Sequence, residues 1–403
     1  MGVWVAHFRK VRRDENLDFS LIEEQQMMQN EMQRFCKKEL TKEYVQWMDE
    51  NVDFMPDELW DKFIELGIFR ANVPKEYGGE VLGQVDMMLL FEPICKASMS
   101  VALGVAATAF FGTPFIRGLG TEEQKREYLP KIADGKLKLC MALTEPGGGT
   151  DVLGAMVTFA EDKGDRWVIN GEKMFITGAH VADYIITICK TEENAKPSKS
   201  LSIFIVPAKS KGISLSKIPK ISCLHCDSPA VSYDEVEIPK ENLLGTRGNG
   251  WYESLDVLNP ERIFVAMYGV GLIAAAYEDA FQYVKERMAF GGPIGRFQIL
   301  QHYLADMLIN LENARNLTYK AAWLCDHGKP YHMEAMMAKL VATEGAWHAA
   351  TYGCEIMGGY GICKEFAMQR YLRDAKQIIF SPISNEMVKN MMMRFKGLPK
   401  SWS

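Results

Sequence analysis

The stretch densest in groups that could do chemistry is Leu143-Thr144-Glu145-Pro146-Gly147-Gly148-Gly149-Thr150-Asp151. Three consecutive glycines remove every Cβ from a turn, so backbone there can lie close against a ligand. Thr144 and Thr150 place hydroxyls on either side, and the amide N–H groups of such a turn suit an anion or the polar edge of a ring. Three glycines alone describe a plain loop equally well. A second group is Leu258-Asn259-Pro260-Glu261-Arg262. Asn caps helices well and Pro suits a first turn, so a helix is predicted to start here. Glu261 then falls in that first turn, where the helix dipole favours its charge. Such a carboxylate could take a proton from carbon, although spacing alone describes an exposed helix-start acid just as readily. Cys223-Leu224-His225-Cys226 is a lone C-x-x-C with no second pair, and no metal site is expected from it.

The elements that must position these residues follow in three blocks, after an extension at residues 1–17. Residues 18–138 read as an N-terminal helical domain. Pro56-Asp57-Glu58 starts one helix and Gly120-Thr121-Glu122-Glu123-Gln124 another, the latter with a capping box. Residues 139–245 change to a period of two and read as an antiparallel sheet domain. A strand enters the glycine turn at Leu139–Leu143, and Asn170-Gly171 marks a hairpin between Trp167-Val168-Ile169 and the run Glu172 to Thr177. Residues 246–403 return to helical spacing, with long helices over Arg262–Met288, Gln298–Cys325 and Met333–Met357. The fold class is therefore α+β.

The chain has 403 residues, enough for two or three domains, and a formal net charge of −6, which argues against a nucleic-acid partner. No apolar run is read as long enough to span a bilayer, so no membrane partner is expected. The cysteines, nine in number, are scattered and odd, which fits reduced thiols and a cytoplasmic location.

Thr144 to Asp151, following an apolar strand, resembles the signature of the acyl-CoA dehydrogenase family, flavoenzymes that oxidise acyl-CoA thioesters between Cα and Cβ. Gly120 to Pro130, Arg287 to Gln298 and Ile356 to Ile362 resemble further family segments, and the resemblance covers roughly residues 18–395. It implies a helical domain, a sheet domain and a four-helix-bundle-like domain, with FAD as cofactor. Met141, Leu143 and Thr144 would meet the flavin's pyrimidine edge, with Gly149 and Thr150 beside them. Phe175-Ile176-Thr177 would lie on a strand, Phe175 and Thr177 shielding one ring face. Arg287, Phe290 and Gln298 would reach the pyrophosphate and adenosine of a flavin held by a neighbouring subunit, which implies a homotetramer. Gly358, Gly359, Ile383 and Asn385 would complete the cofactor site. Glu355 stands where the family commonly has Gln, and a carboxylate beside a pyrophosphate is unfavourable.

Many members carry the catalytic glutamate in a C-terminal Tyr-Glu-Gly segment, where this chain has Ser381. Others, of the isovaleryl and long-chain type, carry it in a Leu-x-x-Glu-Arg setting, matched here by Glu261. The resemblance thus assigns α-proton transfer to Glu261 and hydride transfer to the flavin, and it points towards the crotonobetainyl-CoA reductase-like subgroup. Thioester polarisation would fall to the backbone N–H of Ser381, and substrate contacts to Thr150, Asn259 and Arg262. Met99 to Gly104 lacks the cation expected for a dicarboxylic acyl group, so a neutral acyl-CoA or enoyl-CoA is favoured. An electron-transferring flavoprotein is the implied redox partner. An acyl-CoA oxidase, a flavin monooxygenase or a non-catalytic scaffold of the same superfamily are the alternatives.

Overall fold

The computed structural model describes residues 20–399, so the extension expected at residues 1–17 lies outside the described residues. Seven helices come first: α1 (Glu23–Glu39), α2 (Lys42–Asn51), α3 (Asp57–Glu65), α4 (Gln84–Ala97), α5 (Met99–Ala106), α6 (Thr113–Leu119) and α7 (Glu122–Ala133). Their starts are set locally. The hydroxyls of Thr41, Ser98 and Thr121 accept amides at the heads of α2, α5 and α7. Gln124 returns the bond to the Thr121 amide at 2.8 Å, completing the capping box read from sequence. Between α5 and α6 the buried residues Ala107–Gly112 wind as a π-helix.

The middle of the chain forms an eight-stranded sheet from β1 (Leu139–Ala142), β2 (Phe159–Asp162), β3 (Arg166–Lys173), β4 (Tyr184–Lys190), β5 (Leu201–Pro207), β6 (Ile213–Ser216), β7 (Ala230–Pro239) and β8 (Leu243–Leu244). Its spatial order is β6-β7-β3-β2-β4-β5-β8, with β1 also on β4. It is not wholly antiparallel: β1 runs parallel to β4, and β2 meets β4 in parallel at Phe159–Lys190. Nor is Asn170-Gly171 a hairpin turn. β3 passes straight through it, and Glu172 and Lys173 pair with Ser232 and Val231 of β7 across a register shift. A Cβ on Gly171 (φ +142°) would stand 2.5 Å from the Thr158 hydroxyl, so close approach of a neighbouring segment requires this glycine. A short α8 (Val152–Ala155) follows the glycine turn.

The C-terminal block holds α9 (Gly250–Glu286), a β9–β10 ribbon (Met288–Ala289 and Gly292–Pro293), α10 (Gln298–Asp326), α11 (His332–Met357), α12 (Met368–Phe380) and α13 (Asn385–Phe395). α9 packs on α11, α10 and α12 within the bundle and on α4 outside it. It begins about three turns earlier than the sequence suggested. Pro260 is inside it, so Asn259 is not its cap and Glu261 is not in its first turn. Met99–Leu119 and α9 do reach the length and apolarity of a membrane span, contrary to the reading of the sequence, but 89% and 83% of their most apolar windows are buried within the protein. One core unites the first helices with the bundle, a second joins α6 and α7 to the sheet, and a third fills the sheet's other side. All nine cysteines are unpaired, and only Cys363 is exposed.

Candidate active site

The glycine turn is clamped from beneath. β1 ends at Ala142, so Leu143 and Thr144 follow the strand rather than belong to it. The buried Glu145 carboxylate accepts the amides of Val157 (2.6 Å) and Thr158 (3.0 Å) and the Lys173 ammonium (2.9 Å). Lys173 also donates to the Leu143 carbonyl at 3.1 Å. Burial opposes the charge on Glu145, yet Lys173 and these donors hold its carboxyl below the usual range. Above the clamp Gly149 and Thr150 are exposed. A Cβ on Gly148 would strike Ala155 at 2.6 Å, whereas Gly147 and Gly149 have nothing within 4 Å. The fold itself requires Gly148, whereas Gly147 and Gly149 face open space.

Phe175 lies beside this turn, because the Met174 amide donates to the Thr144 carbonyl at 2.8 Å. It is not on a strand. β3 ends at Lys173, and Phe175 occupies the left-handed region (φ +60°), unusual for an aromatic residue. Its ring is 57% exposed, which suits a wall for a flat apolar ligand rather than sheet core. The Thr177 hydroxyl is shared with Ser228 at 3.1 Å.

Arg287 closes the end of α9 and its guanidinium stands 5.5 Å over the Tyr360 ring, so the Arg287–Gln298 segment and the Gly358–Ile362 turn are brought together. Arg287 and Gln298 are exposed, and Phe290 is 88% exposed. Gly358 and Gly359 have nothing within 4 Å of an added Cβ. Glu355 is exposed, and its hydrogen bond raises the phenol of Tyr303.

The α12–α13 turn differs from expectation. The Ser381 amide donates to the Gln377 carbonyl at 3.1 Å, closing the last turn of α12, so it is not a free donor for a thioester carbonyl. The Ile383 carbonyl and the Asn385 Oδ1 are likewise taken. Both accept from the fully buried Lys339 ammonium, at 2.8 and 2.7 Å, which also donates to Ile379 at 3.0 Å. Thr343 donates to the same Oδ1 at 3.2 Å. With Oδ1 so fixed, the Asn385 Nδ2 is a buried donor without a partner. Burial pulls Lys339 down to about 8.

Glu261 sits mid-helix and 8% exposed, not at a surface helix start. Its Oε2 has no hydrogen-bond partner. Burial pushes the carboxyl up to about 7, with Arg262 pulling the other way. Arg262 is also 8% exposed and donates to the Asn259 side chain at 2.5 Å, so Asn259 is spoken for. A buried carboxyl poised near neutrality with an open oxygen is suited to exchanging a proton with a bound molecule.

The C-x-x-C stretch is a structural knot. His225 is buried between Asp49 (2.8 Å at Nδ1) and Ser98 (2.9 Å at Nε2), and the Cys223 amide donates to Asp374 at 2.8 Å. Among the described residues no cluster of three or more His, Cys, Asp or Glu side chains is arranged to hold a metal. Lys173 and Lys339 had no role in the sequence reading. Their partners are mostly carbonyls, which leave no mark in a side-chain pattern.

Three family models match the chain: acyl-CoA dehydrogenase N-terminal domain over residues 22–136, middle domain over 140–236 and C-terminal domain over 248–394. Probable acyl-CoA dehydrogenase YngJ of Bacillus subtilis is 36% identical over 379 residues, 94% of this chain and 99% of that protein. The caffeyl-CoA reductase-Etf complex subunit CarC of Acetobacterium woodii is 36% identical over 88% of this chain and 93% of its own. Butyryl-CoA dehydrogenase from Megasphaera elsdenii superposes with a TM-score of 0.89 at 32% identity, covering 94% of this chain and 100% of that one.

Proposed function

The chain belongs to the acyl-CoA dehydrogenase family, and from that premise we propose that it transforms the Cα–Cβ bond of an acyl-CoA or enoyl-CoA thioester with Glu261 as the catalytic base. It is a flavin-linked oxidoreductase, and FAD is the cofactor of its family. The residues present fit that cofactor: Gly149, Gly358 and Gly359 leave unfilled space, Phe175 offers an exposed aromatic wall, and Asn385 keeps a buried donor in reserve. Bound FAD supplies the acceptor or donor of the β hydride.

The carrying observation is the Glu261 carboxyl itself, buried, raised to about 7 and open at Oε2. In the oxidative direction Glu261 removes the α proton; in the reductive direction it returns it. Arg262, buried beside it, holds Asn259 and keeps positive charge next to the forming carboxylic acid or carboxylate. Ser381 is no longer assigned the thioester carbonyl. The absence of a cation on the buried Met99–Gly104 run supports a neutral acyl group. Relatives named as dehydrogenase and as reductase support a site that works in either direction. The relative named as part of an Etf complex supports an electron-transferring flavoprotein as partner. Exposed Ile299, Leu308 and Ile309 on α10, with Phe290, support burial of this surface in a homotetramer. Unpaired cysteines support a cytoplasmic setting. The test is anaerobic titration of the yellow protein with saturated and enoyl thioesters, read at the flavin absorbance. No bleaching by any thioester, and no reoxidation of the reduced enzyme by any enoyl-CoA, would overturn the reading.

A further inference from the structure

One face of α9 carries Glu261, Phe264, Tyr268 and Gly271, spaced at three and four residues and therefore stacked along one side of the helix. Two of them meet the N-terminal segment directly. Phe264 packs its ring against Phe110 (centroids 4.4 Å apart) and Phe91 (5.7 Å). At Gly271 the two backbones touch, since a Cβ there would lie 2.4 Å from the Cys95 Cβ. The face thus carries a buried, unpartnered carboxylate oxygen at Glu261, is aromatic at Phe264 and is shut at Gly271.

Tyr268 sits just before the closed end. It is 3% exposed, and its hydroxyl has no hydrogen-bond partner. Burial, with Cys95 and Glu261 adding to it, pushes this phenol far above its ordinary value, so it stays protonated and able to donate. A buried hydroxyl left unpaired is destabilising, and phenylalanine would fill the same space without that cost. Two unpaired polar atoms, Glu261 Oε2 and the Tyr268 hydroxyl, therefore share one face of one helix. Their residues are seven apart, roughly 10 Å along the axis. Tyrosine side chains on a helix lean towards its N-terminus, which brings the hydroxyl back towards Glu261.

We propose that Tyr268 is the specificity-determining residue at the closed end of the acyl pocket, and that it selects acyl groups carrying a hydrogen-bonding oxygen, a hydroxyl or carbonyl, on the part of the chain distal to the thioester. This rests on the acyl-thioester reading given above and names the substrate class within it. Glu261 addresses the α carbon; the Tyr268 hydroxyl meets the oxygen at the far end. A purely hydrocarbon tail of equal length would bury that hydroxyl with no partner, and a site built to meet a polar group discriminates against the analogue lacking it.

The experiment uses the FAD-loaded enzyme and matched pairs differing in one oxygen: 3-(4-hydroxyphenyl)propanoyl-CoA against 3-phenylpropanoyl-CoA, and 6-hydroxyhexanoyl-CoA against hexanoyl-CoA. Wild type should prefer the oxygenated member of at least one pair by about tenfold or more in kcat/KM, mainly through KM. Tyr268→Phe should bring that ratio close to one, with melting temperature and FAD content measured alongside. Should the variant fail to fold, the wild-type pair ratios decide alone. Equal rates within both pairs, as an ordered water satisfying the hydroxyl would give, overturn the proposal while flavin bleaching still upholds the acyl-CoA reading. An unchanged preference in Tyr268→Phe also overturns it. No bleaching with any member defeats the acyl-CoA reading first.

Discussion

Replacing Glu261 by glutamine should make the enzyme slower and more stable at once. The wild-type carboxyl is raised from an ordinary 4.5 to about 7 by burial. Between those values the unfolded chain gives up this proton and the folded chain keeps it, so stability falls as pH rises through that window and stays lower above it. The shift amounts to about 3 kcal/mol for the ionised state. Glu261→Gln removes the ionisation and keeps the shape. At pH 8 it should gain up to about 3 kcal/mol, a rise of roughly 3–4 °C in melting temperature from the unfolding entropy of a chain this long. About a unit or more below 4.5 the gain should vanish, because the wild-type side chain is then protonated in both states. Flavin reduction should slow by ~10²–10⁴-fold, the usual contribution of a positioned base. The wild-type rate should itself climb about tenfold from pH 6 to 8 as the carboxylate forms around 7. Thermal scans at both pH values and anaerobic stopped-flow at the flavin band measure all of this. Wild-type speed in Glu261→Gln refutes the assignment of the base, and a stability difference independent of pH refutes the burial argument.

Lys339→Met should loosen the α12–α13 turn and free the Asn385 amide to rotate, weakening FAD retention by about tenfold or more; fluorescence titration of apoprotein with FAD reads this without turnover. Lys173→Met leaves the Glu145 carboxylate buried without its cation and should cost about 3–5 kcal/mol, seen in denaturant melts, while Glu145→Gln with Lys173→Met together should cost less than the lysine change alone. Arg287→Ala should lower FAD content and the stability of the proposed homotetramer together, and full FAD occupancy in a stable isolated monomer would contradict it.

The order of helical, sheet and helical blocks was legible because its signals are local. Thr121 and Gln124 sit within one turn of each other, and the box they form needs no knowledge of the rest of the fold. Asn170-Gly171 misled for the opposite reason: the demand for glycine comes from Thr158, on a segment that only the folded sheet brings near. Glu261 stands out in the sequence, but its environment does not. Pro260 looks like a beginning, yet Gly250 to Asn259 continue the helix upstream, where burial of Ser254 and Val257 outweighs the proline's lost hydrogen bond. Ser381 lost its expected role because an amide one residue past a helix is claimed by that helix, which depends on where α12 ends. The buried lysines were invisible altogether: Lys339 is held mostly by backbone carbonyls, which have no sequence signature, and Lys173 by a carboxylate 28 residues away that only the fold brings near.

The cysteine inventory makes this protein an easy one to wire for spectroscopy. Thiolates, not thiols, react with maleimides. Burial holds Cys36, Cys189 and Cys226 up to about 12 and Cys95, Cys140 and Cys223 above their ordinary values, so six of the nine stay protonated and unreachable in the native state. Cys325 and Cys354 are half covered and also raised. Cys363 alone stands in the open, one residue past the Gly358–Ile362 turn, with its sulfur against the Gly359 carbonyl at 3.2 Å. A brief alkylation at neutral pH should therefore mark the native chain at this position first. A dye fixed there would sit beside the turn that Arg287 and Tyr360 join, and under the proposed cofactor site its emission should change on FAD loading without a single engineered residue.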